Sequence, residues 1–175
     1  MEASEKQREG SAMDQAGGTE SGTIDSVLAH NRAFVAGGEF ARYATDKYPD
    51  KKLAVVSCMD TRLTELLAAA LGLKNGDAKI IKVAGAEVAH PFGSVMRSLL
   101  IAVCELGVED IMVVAHTNCG AQHMSGAAMI DSMRRLGVSD ERIEFARHCG
   151  IDFDRWLAGF GDTEESVRKS VDLIL

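Results

Sequence analysis

Three short apolar runs set the fold: Leu53–Ser57 (LAVVS), Lys79–Val83 (KIIKV) and Asp110–Ala115 (DIMVVA). Runs this short and this rich in valine and isoleucine read as buried strands. A helical pattern, Thr64–Leu71, separates the first two and stops at Gly72, before the turn Asn75-Gly76-Asp77. Another, Ser94–Leu106, separates the second and third and stops at Gly107. Strand, helix, strand, helix, strand is the grammar of an α/β fold, a parallel sheet flanked by helices. Right-handed crossovers put the loops that follow the strands on one edge. Ligands of such sheets bind beyond the carboxyl ends of the strands. Chemistry should therefore be sought in the loops after Ser57, Val83 and Ala115.

The flanking sequence is helical. Behind Thr23, residues Ile24, Val27, Leu28, Phe34 and Val35 recur at helical spacing up to Gly37-Gly38. A short helix is expected over Glu39–Lys47, before Pro49. Downstream, helices are expected over Gln122–Leu136, Ser139–His148 and Phe153–Phe160. Asp162-Thr-Glu-Glu165 resembles a capping box that opens a last helix running to the end. The first 22 residues differ. They hold five hydrophobic residues, seven charged ones and four glycines. Such a segment buries too little apolar surface to offset its ordering entropy. The expected organisation is a disordered tail over 1–22 and a single α/β domain over 23–175.

Composition narrows the function. Nineteen Lys and Arg against 26 Asp and Glu give a formal net charge of −7. A general nucleic-acid binder needs a basic face, so no nucleic-acid partner is expected. The longest uninterrupted apolar runs are six residues, Leu66–Leu71 and Leu99–Cys104. A membrane-spanning helix needs about 20, so no membrane is expected either. Met1-Glu-Ala-Ser-Glu-Lys has no secretory pattern, which points to the cytoplasm. In that compartment Cys58, Cys104, Cys119 and Cys149 read as thiols or metal ligands before disulfides.

Two of the post-strand loops are chemically loaded. The first strand runs into Ser57-Cys58-Met59-Asp60-Thr61-Arg62, and the third into His116-Thr117-Asn118-Cys119-Gly120. If the strands are parallel neighbours, Cys58, His116 and Cys119 can converge on one point. Two thiolates and one imidazole suit zinc. Three protein ligands leave one tetrahedral position open, as catalytic zinc requires for water. Two thiolates formally cancel the metal charge, so the site acidifies water less than a histidine-only shell would. Asp60, two residues from Cys58, could accept the proton of that water. Arg62 could hold Asp60 ionised and oriented; released from Arg62, the same carboxylate could close the site. Gly120 is expected to permit a close backbone approach or an unusual dihedral. Cys104, in an apolar helix, reads as buried packing, and Cys149 beside His148 as structure. His123 reads as exposed. His30 and His90 receive no role. There is no GxGxxG, no GxxxxGK[ST] and no C-x-x-C pair.

At Cys58-Met-Asp60-Thr-Arg62 and His116-Thr-Asn-Cys119-Gly120 the sequence resembles the β-class carbonic anhydrases. The similarity runs from about Thr23 to the end and is closest to short bacterial members. The resemblance implies one zinc per chain on Cys58, His116 and Cys119, with Asp60 and Arg62 as the catalytic dyad. It implies a lyase, carbonate dehydratase, that reversibly hydrates carbon dioxide to bicarbonate. It also implies a homodimer or higher assembly in which the helix over Thr23–Gly37 grips the partner. Two departures stand out. Lys82-Val83-Ala84-Gly85 replaces the usual Arg-Asn-Ala-Gly, and valine cannot make the hydrogen bonds of that asparagine. The usual C-terminal strand is missing from the sequence, so the third strand is expected to have an unpaired edge that invites association. Two other readings remain open: a hydrolase of a related linear substrate such as carbon disulfide or carbonyl sulfide, and an inactive zinc-bearing protein with a structural or regulatory role.

Overall fold

The computed structural model describes residues 22–175, so the expected tail over 1–22 lies outside the described residues except for Gly22. The chain divides into two compact units after Ala44. In the described part of the first, α1 spans Thr23–Ala36, and Gly22 rather than Thr23 takes the N-cap position. No residue of α1 is buried. The expected helix over Glu39–Lys47 is a single 3-10 turn, Glu39–Tyr43, because Ala44 is already extended at φ −61°, ψ 130°. Phe34 tilts against Tyr43 with ring centroids 6.1 Å apart.

The second unit, Thr45–Leu175, carries the sheet. Its elements are β1 (Leu53–Cys58), α2 (Leu63–Ala70), β2 (Ala78–Val83), α3 (Ser94–Leu106), β3 (Asp110–Val114), α4 (Gly126–Arg135), α5 (Asp140–Arg147), α6 (Phe153–Leu157) and α7 (Thr163–Ile174). The strand order is β2-β1-β3, and both pairings are parallel. The central place of β1 explains its apolar run, since residues 54–58 are all buried. Alternate residues of a strand face opposite sides. Val55 joins Leu63 and Leu67 of α2 with Phe160, while Ala54 and Val56 join Leu99 and Ala102 of α3. Register matters most for the site: Ser57 lies beside Val114, and Cys58 beside Val83. The ends of β1 and β3 are therefore level.

Three expectations change. The helix expected from Gln122 begins at Gly126, where the Ser125 side chain caps it by accepting from Ala128 N. Gly126 is required there, because an added Cβ would lie 2.1 Å from Asp154 O. The helix expected over Phe153–Phe160 stops at Leu157, since Ala158 turns extended and Phe160 pairs with Gln122. Cys104 is exposed rather than buried, as it lies round α3 from the inward residues Leu99 and Ala102. Val83, in the place of the usual asparagine, packs against the apolar cluster of Val56 and Leu99. The Asp162 cap is present and accepts from Glu165 N at 2.8 Å. Among the described residues no strand lies beyond β3. Ile111 and Val113 there meet Val171 and Ile174 in a groove of about 220 Å³. No helix among them is long and apolar enough to cross a membrane.

A bidentate ion pair joins α5 to α6: Arg147 Nε and Nη2 each donate to Asp154 at 2.8 Å. Arg147 holds the Asp154 carboxyl below its ordinary range. A depressed folded value means the contribution is complete above the unfolded value of about 4 and fades as pH falls through the folded one. Asp154→Asn should lower the urea midpoint at pH 7, with the gap to the parent closing below about pH 4. Equilibrium unfolding at several pH values checks this.

Candidate metal centre

The level ends of β1 and β3 place the two loaded loops side by side. Cys58 is the last residue of β1, and His116 comes two residues after β3. One tight turn later Cys119 returns to the same spot. The donor atoms of Cys58, His116 and Cys119 lie within 4.8 Å of one another. The two sulfurs are 3.7 Å apart. Two zinc–sulfur bonds of about 2.3 Å at a tetrahedral angle put sulfurs about 3.8 Å apart, so the thiols already stand at ligand spacing. His116 Nδ1 lies 2.9 Å from Thr117 O, which fixes the tautomer if Nδ1–H donates. Nε2 is then free, and it is buried without a hydrogen-bond partner. A buried, unpaired imidazole nitrogen beside two thiols fits a metal ligand set.

Burial pushes the Cys58 thiol up. His116, the backbone N–H groups of Asp60 and Gly85, and Cys119 outweigh it, and the net shift is downward. Cys119 moves the other way: burial raises it and the charge on Cys58 adds to that, against the amides of Ala121 and Gln122. Cys58 thus ionises first. A bound divalent cation would let both thiols ionise together.

Asp60 and Arg62 stand beside the cluster. Arg62 donates from Nε to Asp60 Oδ1 at 2.9 Å and from Nη2 to Oδ2 at 2.8 Å. Its backbone N–H also donates to Oδ1 at 2.9 Å. Arg62 holds the carboxyl far below the usual range. Asp60 Oδ2 lies 3.8 Å from His116 Nε2. Arg62 Nη2 further donates to Asn118 O at 2.9 Å, tying the β1 loop to the β3 loop. Asn118 adopts φ +53°, uncommon for a residue with a side chain. The dihedral role expected of Gly120 thus falls to Asn118: Gly120 has no positive φ and open space where a Cβ would be.

A supporting segment was not legible in the sequence. His123 N donates to Phe160 O at 2.8 Å, and Gly159 N to Met124 O at 2.9 Å. These bonds clamp the Cys119 loop to Gly159–Phe160. The only available signal was the glycine pair around Phe160. His123 is exposed, as expected. Cys149 and His148 both bond helix carbonyls, of Phe145 and Glu144, and stay apart from the cluster. A cavity of about 590 Å³ lies beyond Phe160, lined among others by Glu87, Arg155, Trp156 and Lys169. None of the three candidate ligands lines it.

Residues 53–168 match the family model described as carbonic anhydrase. The chain is 48% identical over 151 residues to "Putative carbonic anhydrase YtiB" of Bacillus subtilis, covering 86% of this chain and 81% of the relative. It is 36% identical over 147 residues to "Beta-carbonic anhydrase 1" of Mycobacterium tuberculosis, covering 84% and 78%. Among solved structures it is similar to β-carbonic anhydrase isoform I from Trichomonas vaginalis, with a TM-score of 0.76 and 30% identity over 87% of this chain and 82% of that one.

The clamp makes a sharp test. A Cβ on Gly159 would lie 1.7 Å from Ala121 O, whereas one on Gly120 meets nothing within 4 Å. Gly159→Ala should destabilise the fold by about 1–3 kcal/mol and empty the centre of bound zinc. Gly120→Ala should leave both unchanged. Urea unfolding and metal analysis of the purified variants provide the readouts.

Proposed function

The chain belongs to the β-carbonic anhydrase family, and from that premise we propose that it reversibly hydrates carbon dioxide to bicarbonate with one zinc ion per chain. The observation that carries this reading is the convergence of Cys58, His116 and Cys119 beside an Asp60 carboxylate already locked by Arg62. The three side chains would hold the metal, which when bound would supply Lewis acidity to make hydroxide available from water near neutral pH.

The remaining roles belong to the protein. Held so far below its usual range, Asp60 is a poor base. Its part is to accept a hydrogen bond from the attacking oxygen and turn a lone pair towards the carbon of the substrate. Arg62 fixes the carboxylate plane through two parallel bonds and keeps it from filling the open metal position. Asn118 O anchors the guanidinium. The balance is one carbon dioxide and one water giving bicarbonate and one proton.

Two further parts of the reading concern setting. The metal-holding thiols must remain reduced, which favours the cytoplasm. Assembly as a homodimer or larger oligomer is supported by exposed apolar side chains: Ile24, Val27 and Leu28 on α1, and Leu100 and Val103 on α3. Sedimentation over a concentration series should show a dimer or larger species at micromolar protein, and a monomer at every concentration would remove this part.

Stopped-flow hydration with a pH indicator, on samples of measured zinc content, tests the activity. Rate should track zinc and vanish on chelation. Cys58→Ala should lose zinc and activity together. Asp60→Asn should keep its zinc and lose activity by about 10–100-fold, the usual effect of removing a group that orients the reacting centre. Hydration that persists in zinc-free protein would sink the proposal. Carbon disulfide offered to the same samples separates the related hydrolase activity.

A further inference from the structure

The segment that follows β2 is bent into an expensive shape. Gly85 and Ala86 are consecutive left-handed residues, at φ +68° and +59°. Ala86 has a Cβ, is 2% exposed, and has no local reason to adopt that conformation. Such strain persists only where the surroundings over-determine it, and it collects at functional sites. Gly85 is enclosed as well: an added Cβ would meet Phe160 at 2.9 Å, Glu87 Oε2 at 3.1 Å and Ala121 Cβ at 3.2 Å.

The holding groups come from α7. Val88 N donates to Ser170 Oγ at 3.1 Å, and both residues are buried. Glu87, half-buried, lines one cavity together with Ser166, Lys169 and Ser170. Ser166 and Ser170 are four apart, so they share one helix face. Both are buried, at 6% and 3% exposure. Serine is a middling helix former, and a buried hydroxyl without a partner is unfavourable. Two buried serines on one helix face therefore need an explanation, and the strap 84–88 supplies it. The strap in turn reaches the metal centre, because Cys58 pairs with Val83 just before it, and Ala86 packs in the same buried cluster as Cys58.

We propose that Ser166 and Ser170 of α7, with Glu87, form a positioning latch: they hold the strained strap so that Ala86 stays packed beside Cys58 and steadies that sulfur for the metal. The proposal rests on the reading of Cys58 as a zinc ligand. The latch residues touch neither metal nor substrate. They act through the packing of the strap against Cys58, as partners of metal-ligating groups act elsewhere. Because parallel pairing brings β2 beside β1, a change on α7 reaches the centre across a few bonds.

The test uses zinc-loaded protein and a coloured chelator, with zinc release followed in time. Ser170→Ala should release zinc about tenfold faster than the parent, and Ser170→Thr, which keeps the hydroxyl, should restore the slow rate. In cobalt-substituted protein, Ser170→Ala should shift the sulfur-to-cobalt charge-transfer band, a signature that a purely structural loss would not move. Ser166→Ala gives the same reading if Ser170→Ala fails to fold. Ser132→Ala is the control, since that helix serine bonds only within α4 and with Arg135. Parent-like release and an unshifted band in Ser170→Ala, or in Ser166→Ala if that variant stands in for it, would overturn the latch. A parent that takes up no zinc would instead overturn the metal centre itself, so the two failures are distinguishable.

Discussion

The parallel pairing of β1 with β3 is the constraint on which the rest depends. Its register sets Ser57 beside Val114, so both strands end at one level. The next residues of each chain segment are then neighbours without any long-range search. Cys58 follows Ser57 directly, and one tight turn after β3 supplies both His116 and Cys119. A slip of one residue would turn every β1 side chain to the other face. It would bury the wrong half of the run and withdraw Cys58 from the cluster. The apolar packing of β1 on both faces forbids that slip. The chemistry of the centre is thus secured by the hydrophobic core rather than by the donor residues.

Around this level edge, left-handed residues cluster. Gly85, Ala86, Asn118 and His123 all have positive φ, and all lie in the loops that surround the three donors. Each is fixed by contacts from elsewhere: Asn118 O by Arg62, His123 N by Phe160, and the Ala86 turn by α7. Strain at the centre is balanced by hydrogen bonds at its margin. The Gly159–Phe160 segment takes part twice, pairing with the Cys119 loop and packing against Gly85.

Much of this was legible in the sequence, and the division has a physical cause. Period and composition mark strands and helices, so β1, β2, β3 and α3 fall where the apolar pattern puts them. The donor loops stood out because they begin where strands end. Three things were hidden. The start of α4 depends on the close approach of Asp154 O to Gly126, a tertiary contact with no local signal. The dihedral role read onto Gly120 belongs to Asn118, because the Arg62 contact, not the absence of a side chain, selects the left-handed residue. The exposure of Cys104 reflects which side of α3 meets the sheet, and an apolar helix with two apolar faces does not announce that. Likewise Ser166 and Ser170 look like ordinary surface serines until α7 is laid against the strap.

The electrostatics of the centre explain why the dyad must be held from two sides. Two thiolates would neutralise a divalent metal, so the metal alone would be a weakened Lewis acid, and the placement of Asp60 would matter more than in a neutral ligand shell. A free carboxylate beside an open coordination position would nevertheless be a competent metal ligand and could fill it. Arg62 prevents this only while it engages both oxygens of Asp60. An exposed arginine pair would ordinarily contribute little and exchange freely with solvent. The third contact, Arg62 Nη2 to Asn118 O, ties the guanidinium to the loop that carries His116 and Cys119. The carboxylate is thereby referenced to both halves of the centre. The placement of Asp60 and the register of the two loops are therefore set by the same sheet edge that brings the donors together.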